Sequence, residues 1–136
     1  MKCFVDTNVW LSGLFGHGLC AELLAEYFKQ GVERWLDERV RAEFRRIARD
    51  KFKVDSTALA LAERLIADHA HIAAAATEPS PGIPDPDDAW ILATAIRVQC
   101  SAFVTGDRAL LQIGASGPMP IIDPRTAYLR LKGLED

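Results

Sequence analysis

Two short apolar runs in this chain each end in an aspartate, immediately before a segment with helical periodicity. They read CFVDTNV, which contains Asp6, and AFVTGD, which ends in Asp107. Runs of this kind alternate with helical segments along the chain, which predicts an α/β layer fold with a mainly parallel sheet. The carboxyl ends of parallel strands share one crevice in which ligands bind, so Asp6 and Asp107 are expected to lie there.

The remaining elements follow from the positions of apolar residues. Strands are predicted over 2–6, 32–36, 101–105 and 120–122, and residues 70–77 fit either a strand or a helical extension. Helices are predicted over 19–29, 37–51, 55–68, 87–99 and 125–131, with a shorter helix or turn over 9–14 and a loop over 78–86. The inward-facing residues predicted for the helix over 19–29 are Leu23, Leu24 and Phe28. Those predicted for the helix over 55–68 are Leu59, Leu61, Leu65 and Ile66.

Length and composition indicate a single domain over residues 1–136, with 49% apolar residues to form its core. Cys3, Cys20 and Cys100 are odd in number and scattered, which argues against a disulfide framework or a zinc ribbon. The N-terminus lacks the apolar core of a signal peptide. Nor does any apolar stretch approach the roughly 20 residues of a membrane span. We therefore expect a cytoplasmic protein with reduced thiols and no membrane association.

Three further acids surround the start of the apolar helix at 87–99. Asp85 is placed as its N-cap, since aspartate accepts hydrogen bonds from the free N–H groups there. Asp88 shares a helical face with Ile91 and Leu92, so it is expected to point toward the interior or the crevice. Asp87 is expected to project elsewhere.

Glu43 borders the apolar face of its predicted helix, between Val40 and Ile47. Burying a carboxylate there costs several kcal/mol unless it is paired or bound to a metal. Arg39 and Arg46, four and three residues away, could instead form surface ion pairs with it.

Asp6, Glu43, Asp88 and Asp107 can all converge on one crevice, although Asp6 or Asp107 alone would equally serve as a helix cap. Four converging carboxylates require neutralisation, and hard divalent cations with oxygen ligands commonly provide it. This combination predicts a metal-dependent enzyme that acts on phosphates.

Basic residues are concentrated between positions 34 and 53, which hold eight of the sixteen lysines and arginines. Such a run can bind phosphates. It is also typical of a solvated helix face.

Four segments of the chain resemble the motifs of a known family. They are FVDTNVWLSGL, VRAEFRRIARDKF, PDPDDAWILATA and FVTGDRALL. Over essentially its whole length the chain resembles the PIN-domain ribonucleases, in particular the VapC-like toxins of bacterial toxin–antitoxin pairs.

The resemblance implies a three-layer α/β/α sandwich with an acidic quartet of Asp6, Glu43, Asp88 and Asp107. Asn8 and Thr105 would be polar supports around the quartet. The acids would bind Mg²⁺ or Mn²⁺ and hydrolyse RNA phosphodiester bonds, with Asp6 and Asp88 as direct ligands. Substrate phosphates would contact Arg45, Arg46 and Arg49. Gly106 replaces a larger polar or basic residue of many relatives, so Arg108 is a further candidate. A small antitoxin partner and a homodimer are also implied.

Several other functions were weighed. An aspartyl-phosphate enzyme usually has a second aspartate two residues after the first, where this chain has Asn8. Such an enzyme also needs a lysine in a later loop, and none follows Asp107 closely. Zinc binding by His17, His69 and His71 is disfavoured because His69 and His71 do not share a helical face. A non-catalytic RNA-binding or protein-interaction module that keeps the acidic site remains the alternative. A PIN ribonuclease without an antitoxin would have nearly the same sequence.

Overall fold

The computed structural model describes residues 1–134, so the last two residues of the predicted domain lie outside the described chain. Within this range there are six strands and seven helices. The strands are β1 (Lys2–Val5), β2 (Glu33–Asp37), β3 (His71–Ala73), β4 (Ala102–Val104), β5 (Ala115–Ser116) and β6 (Met119–Ile122). The helices are α1 (Thr7–Phe15), α2 (Leu19–Gln30), α3 (Glu38–Asp50), α4 (Ser56–His69), α5 (Pro86–Arg97), α6 (Arg108–Ile113) and α7 (Pro124–Leu131). Among these helices, none is long and apolar enough to cross a membrane.

The strands form one sheet in the order β3-β2-β1-β4-β6-β5. All neighbours are parallel except β5 and β6, which form an antiparallel pair at one edge. The predicted α/β/α sandwich with a mainly parallel sheet is therefore confirmed. The ambiguous segment at 70–77 contributes β3, which pairs with β2.

The central strands are apolar because they are buried on both faces. Phe4 and Val5 of β1 and Phe103 and Val104 of β4 are almost fully enclosed. The rings of Phe4 and Phe103, which are paired across the two strands, stack with their centroids 5.4 Å apart. Continuous apolar runs of this kind are typical of parallel sheets covered by helices.

Aspartate begins most of the helices. Within residues 1–134, six of the seven helices have an Asp N-cap whose side chain accepts a backbone N–H: Asp6, Asp37, Asp55, Asp85, Asp107 and Asp123. Four of these caps, namely Asp6, Asp37, Asp107 and Asp123, lie within three residues of the carboxyl end of a strand. The repeated order of strand, aspartate and helix thus collects carboxylates at one edge of the sheet.

The predicted inward face of α2 is partly wrong. Leu23 is buried and Leu24 half-buried as expected, but Phe28 is 62% exposed and Tyr27 takes the buried position. Leu23 and Tyr27 are four residues apart and therefore share a face, whereas Phe28 lies on the flank against His69.

The inward face of α4 also differs from the prediction. Ile66 is buried and Leu59 half-buried, but Leu61 and Leu65 are 63% and 42% exposed. The second fully buried residue is Ala62, one turn before Ile66. The helix contributes a narrow stripe to the core, and its leucines lie outside that stripe.

Candidate active site

Asp6 and Thr105 lie side by side at the carboxyl edge of the sheet. Val5 is paired with Val104, so the next residue of each strand lies beside the other, and the Asp6 N–H donates to the Val104 carbonyl at 3.0 Å. The Thr105 hydroxyl donates to Asp6 Oδ2 at 2.8 Å, and the Thr7 N–H donates to Asp6 Oδ1 at 2.8 Å. Both carboxylate oxygens are therefore held in place by neighbouring donors.

The same threonine connects Asp6 to Asp107. The Asp107 N–H donates to Thr105 Oγ1 at 3.0 Å. Asp107 Oδ1 accepts from the Ala109 and Leu110 N–H groups at the start of α6. Asn8 Oδ1 accepts from the Gly106 N–H at 3.2 Å, which joins the segment after β1 to the segment after β4. Thr105 thus contacts both Asp6 and Asp107, whereas Asn8 contacts the backbone of the residue before Asp107.

The start of α5 brings Asp88 to the same edge. Asp85 Oδ1 accepts from the Asp87 and Asp88 N–H groups, as predicted for the N-cap. Asp88 is half-buried and faces the acids of β1 and β4. Asp87 differs from the prediction, because it lies at the rim of the same site and forms an ion pair with Arg39 at 2.8 Å.

Glu43 reaches the site from α3, where it is half-buried. The predicted alternative of surface pairs with Arg39 or Arg46 is not formed, since Arg39 pairs with Asp87 and the ion pairs among residues 1–134 include none at Glu43. Glu43 shares the lining of one cavity with the other acids, and its charge adds to the rise in the pKa of Asp6.

The four acids line one cavity of about 250 Å³, which we call the acidic cavity. Its lining residues are Asp6, Thr7, Asn8, Glu43, Ile47, Asp85, Asp87, Asp88, Ile91 and Asp107. Asp85 was predicted only as a helix N-cap, although its position three residues before Asp88 was the signal for a place in this lining. No lysine, arginine or histidine is part of this lining.

Crowding and burial perturb two of the carboxyl groups. The pKa of Asp6 rises from 3.8 to about 6, chiefly because burial disfavours the charged form. Hydrogen bonds from Thr105 and Thr7 oppose that rise, while the charges of Glu43 and Asp107 add to it. The pKa of Asp88 also rises to about 6, first through burial and then through the charge of Asp85 and the other acids. The cavity thus concentrates more negative charge than its surroundings offset.

The acidic cavity offers only oxygen donors, which are the ligands that Mg²⁺ and Mn²⁺ prefer. As placed, however, the side chains of residues 1–134 include no group of three or more His, Cys, Asp or Glu that could hold a metal ion. Mg²⁺ keeps several waters and usually takes one or two protein carboxylates. The donor chemistry therefore fits such an ion without requiring three protein ligands.

The histidines occupy a different part of the molecule. His71 stacks on Trp35 with ring centroids 4.9 Å apart, and His69 contacts the ring of Phe28 edge-on. None of the three histidines lines the acidic cavity.

A second cavity of about 310 Å³ adjoins the acidic cavity, and we call it the arginine cavity. Its lining residues are Arg39, Ala42, Glu43, Arg46, Asp87 and Ile91. Of the four arginines predicted to contact phosphates, Arg46 is the one in this lining. Arg45 pairs with Glu63 on α4, Arg49 pairs with Asp50, and Arg108 is exposed next to Asp107.

Arg39 was not predicted as a site residue. The signal for it was present, because Arg39, Glu43 and Arg46 recur at spacings of four and three residues and therefore share one face of α3.

Comparisons with known proteins agree with this architecture. A family model described as PIN domain matches residues 2–109. No curated protein matches the sequence significantly. The crystal structure of VapBC2 from Rickettsia felis bound to a DNA fragment from their promoter is similar with a TM-score of 0.64 and 12% identity, covering 90% of this chain and 98% of that chain. FitAcB from Neisseria gonorrhoeae is similar with a TM-score of 0.57 and 14% identity, again covering 90% of this chain and 98% of that chain. At these identities the structural similarity establishes the fold.

Proposed function

Since the chain belongs to the PIN domain family, we propose that it is a metal-dependent ribonuclease which hydrolyses RNA phosphodiester bonds at the acidic cavity. The observation that carries this proposal is that six carboxylates from four separate segments, including the four of the predicted quartet, line one cavity without a basic residue. Asp6 and Asp88 have a raised pKa, which is common among groups at functional sites.

Asp6 and Asp88 are the proposed direct ligands of Mg²⁺ or Mn²⁺, and Glu43 and Asp107 complete the site directly or through water. A bound divalent cation would supply positive charge against the phosphate oxygens during in-line displacement. Thr105 positions the pair of acids, since its hydroxyl donates to Asp6 and accepts from the Asp107 N–H. Asn8 holds the backbone at Gly106, which keeps Asp107 at the edge of the sheet.

We propose further that the ribonuclease is the toxin of a toxin–antitoxin pair, acting in the cytoplasm as a homodimer. The structural similarity to VapBC2 and FitAcB supports this proposal at the level of the fold. An apolar groove of about 360 Å³ between α1, α2 and α4 also supports a protein partner, because Phe28 and Leu65 are exposed along it.

The partner proposal is tested by expressing the protein in bacteria with and without the product of the neighbouring reading frame. Growth arrest that this product relieves is the expected result, and growth without arrest would contradict the toxin assignment. Light scattering of the purified protein measures the dimer separately.

The nuclease proposal is tested by incubating the protein with labelled mixed RNA in Mg²⁺ or Mn²⁺, with and without EDTA. Cleavage should stop in EDTA and in Asp6→Asn and Asp88→Asn, because each substitution removes a proposed ligand. Loss of at least 100-fold is expected, on the order of what one metal-site or transition-state contact contributes.

The control variant is Asp68→Asn, which removes an exposed acid that pairs with Arg64 on α4, away from the acidic cavity. It should cleave as the unmodified protein does. If RNA is bound but never cleaved with any metal, the alternative of a non-catalytic RNA-binding module replaces the nuclease. Cleavage that survives both substitutions would place the catalytic groups elsewhere.

A further inference from the structure

The acidic cavity and the arginine cavity adjoin and share part of their lining. Glu43, Asp87 and Ile91 line both cavities. Glu43 lies between Arg39 and Arg46 on one face of α3, within about one helical turn of each. A ligand that reaches the acids at Glu43 therefore also meets the side chains of Arg39 and Arg46 along the same face.

Arg39 is held in place by weak and replaceable contacts. Its Nη1 is 2.8 Å from Asp87 Oδ1, and the two side chains are 44% and 75% exposed. The guanidinium also lies 5.5 Å from the centroid of the Trp90 ring. Exposed ion pairs contribute little to stability, so a competing anion can replace Asp87 at small cost.

Arg46 lies on the same wall. It is exposed, and the ion pairs among the described residues include none that involves it. Guanidinium groups bind phosphate oxygens through paired N–H donors in a planar fork. The arginine cavity thus offers two guanidinium groups to a phosphate, and one of them, that of Arg39, is paired with the carboxylate of Asp87.

We propose that Arg39 and Arg46 bind the phosphate that neighbours the cleaved bond of an RNA strand, and that this phosphate replaces Asp87 on Arg39. This inference rests on the proposed nuclease function and assigns the part of the site that holds the substrate. The pair of arginines offsets the repulsion between the acids and the RNA backbone. Asp87 keeps Arg39 in position while the site is empty of substrate.

Binding is measured by fluorescence anisotropy of a labelled single-stranded RNA in EDTA, from about 50 to 200 mM salt, where phosphate contacts dominate the affinity. Arg39→Gln and Arg46→Gln should each weaken binding about tenfold, the effect of losing one charge-assisted contact. Each should also reduce the slope of log affinity against log salt by about 0.7, the value for one phosphate contact on a single strand.

The matched control is Arg41→Gln, which removes the same charge from the same helix. Arg41 pairs with Glu38 and lines neither cavity, so its affinity should stay within about twofold of the unmodified protein. Thermal unfolding of each variant confirms that the fold is retained.

Asp87→Asn tests the exchange of partners. It should tighten RNA binding severalfold, because Arg39 is then free for the phosphate. The gain should disappear in the double variant Arg39→Gln/Asp87→Asn. A gain of the same size in both backgrounds would show a general charge effect and would overturn the exchange.

The proposal is also overturned if Arg39→Gln and Arg46→Gln bind like the unmodified protein, if Arg41→Gln loses as much affinity as they do, or if the unmodified protein does not bind RNA at about 50 mM salt. Since EDTA removes any metal-dependent cleavage, these results do not depend on catalysis. The expected binding pattern without cleavage in Mg²⁺ or Mn²⁺ would refute the nuclease, and with it the place of this phosphate beside a cleaved bond, and would leave Arg39 and Arg46 as an RNA phosphate site.

Discussion

Replacing Asp6 by asparagine should stabilise the metal-free protein at neutral pH, although the same substitution is expected to abolish cleavage. Asp6 is 9% exposed and lies among carboxylates, so its negative charge is unfavourable in the folded state. Asparagine has nearly the same shape and carries no charge. Its Oδ1 can still accept from the Thr7 N–H, which donates to Asp6 at 2.8 Å.

The size of the effect follows from the pKa of Asp6, which rises from 3.8 to about 6 on folding. A difference of about two units corresponds to about 3 kcal/mol in the free energy of unfolding. Because the Asp6 carboxyl binds its proton more tightly in the folded state than in the unfolded state, this contribution to the free energy of unfolding is fully present below about pH 4. It is lost as the pH rises toward about 6. Asparagine avoids that loss but changes the hydrogen bond with Thr105, at a cost of about 1 kcal/mol.

The variant should therefore be about 2 kcal/mol more stable than the unmodified protein at neutral pH and about 1 kcal/mol less stable near pH 4. Urea unfolding in EDTA across this range measures both values, and the two stability curves should cross. Asp68→Asn is the control, because its exposed carboxylate pairs with Arg64 outside the cavity. A variant that is less stable than the unmodified protein at every pH would refute the reasoning, since burial would then not penalise the charge of Asp6.

Two further substitutions test the fold around the site. Asp37 caps α3 through the Val40 N–H at 3.0 Å, while its Oδ2 is buried and has no hydrogen-bond partner. Because asparagine keeps the cap and alanine removes it, Asp37→Asn should be about 1 kcal/mol more stable to urea than Asp37→Ala, and equal stability would contradict the capping role. On α4, Ile66→Ala should cost about 2–5 kcal/mol, whereas Leu61→Ala should stay within about 0.5 kcal/mol, because Ile66 is 2% and Leu61 63% exposed. Similar losses in thermal unfolding would show that the exposed face of α4 is also packed.

The sheet and the grouping of the acids were predictable from sequence because both depend on local order. The central strands β1 and β4 are short, mostly apolar runs, and an aspartate that follows such a run can cap the next helix. Asp6 and Asp107 obey this rule, and parallel pairing of β1 with β4 then brings their segments together. For these two residues, the alternatives of helix cap and site residue proved compatible, since each caps a helix and lines the acidic cavity.

The faces of α2 and α4 were less predictable because apolar residues extend beyond the stripe that each helix buries. Periodicity gives Phe28 and Tyr27 neighbouring positions, and only tertiary packing decides that Tyr27 is enclosed. Leu61 and Leu65 are apolar but lie outside the stripe formed by Ala62 and Ile66. The contact between Arg39 and Asp87 also depends on tertiary packing, because it joins residues 48 positions apart in the sequence.

Helix termini help to explain how these acids can gather at one edge of the sheet. Helices α1, α5 and α6 begin at the acidic cavity, with Asp6, Asp85 and Asp107 as their caps. The positive end of a helix dipole stabilises a nearby carboxylate by about 0.3–1 kcal/mol, and the hydrogen bonds from free N–H groups add to this. Yet burial, with the charges of the neighbouring acids adding to it, still raises the pKa of Asp6 and of Asp88 to about 6, so the dipoles offset only part of the cost of these charges. The remainder favours any ligand that brings positive charge into the cavity, which is the physical reason to expect a divalent cation there.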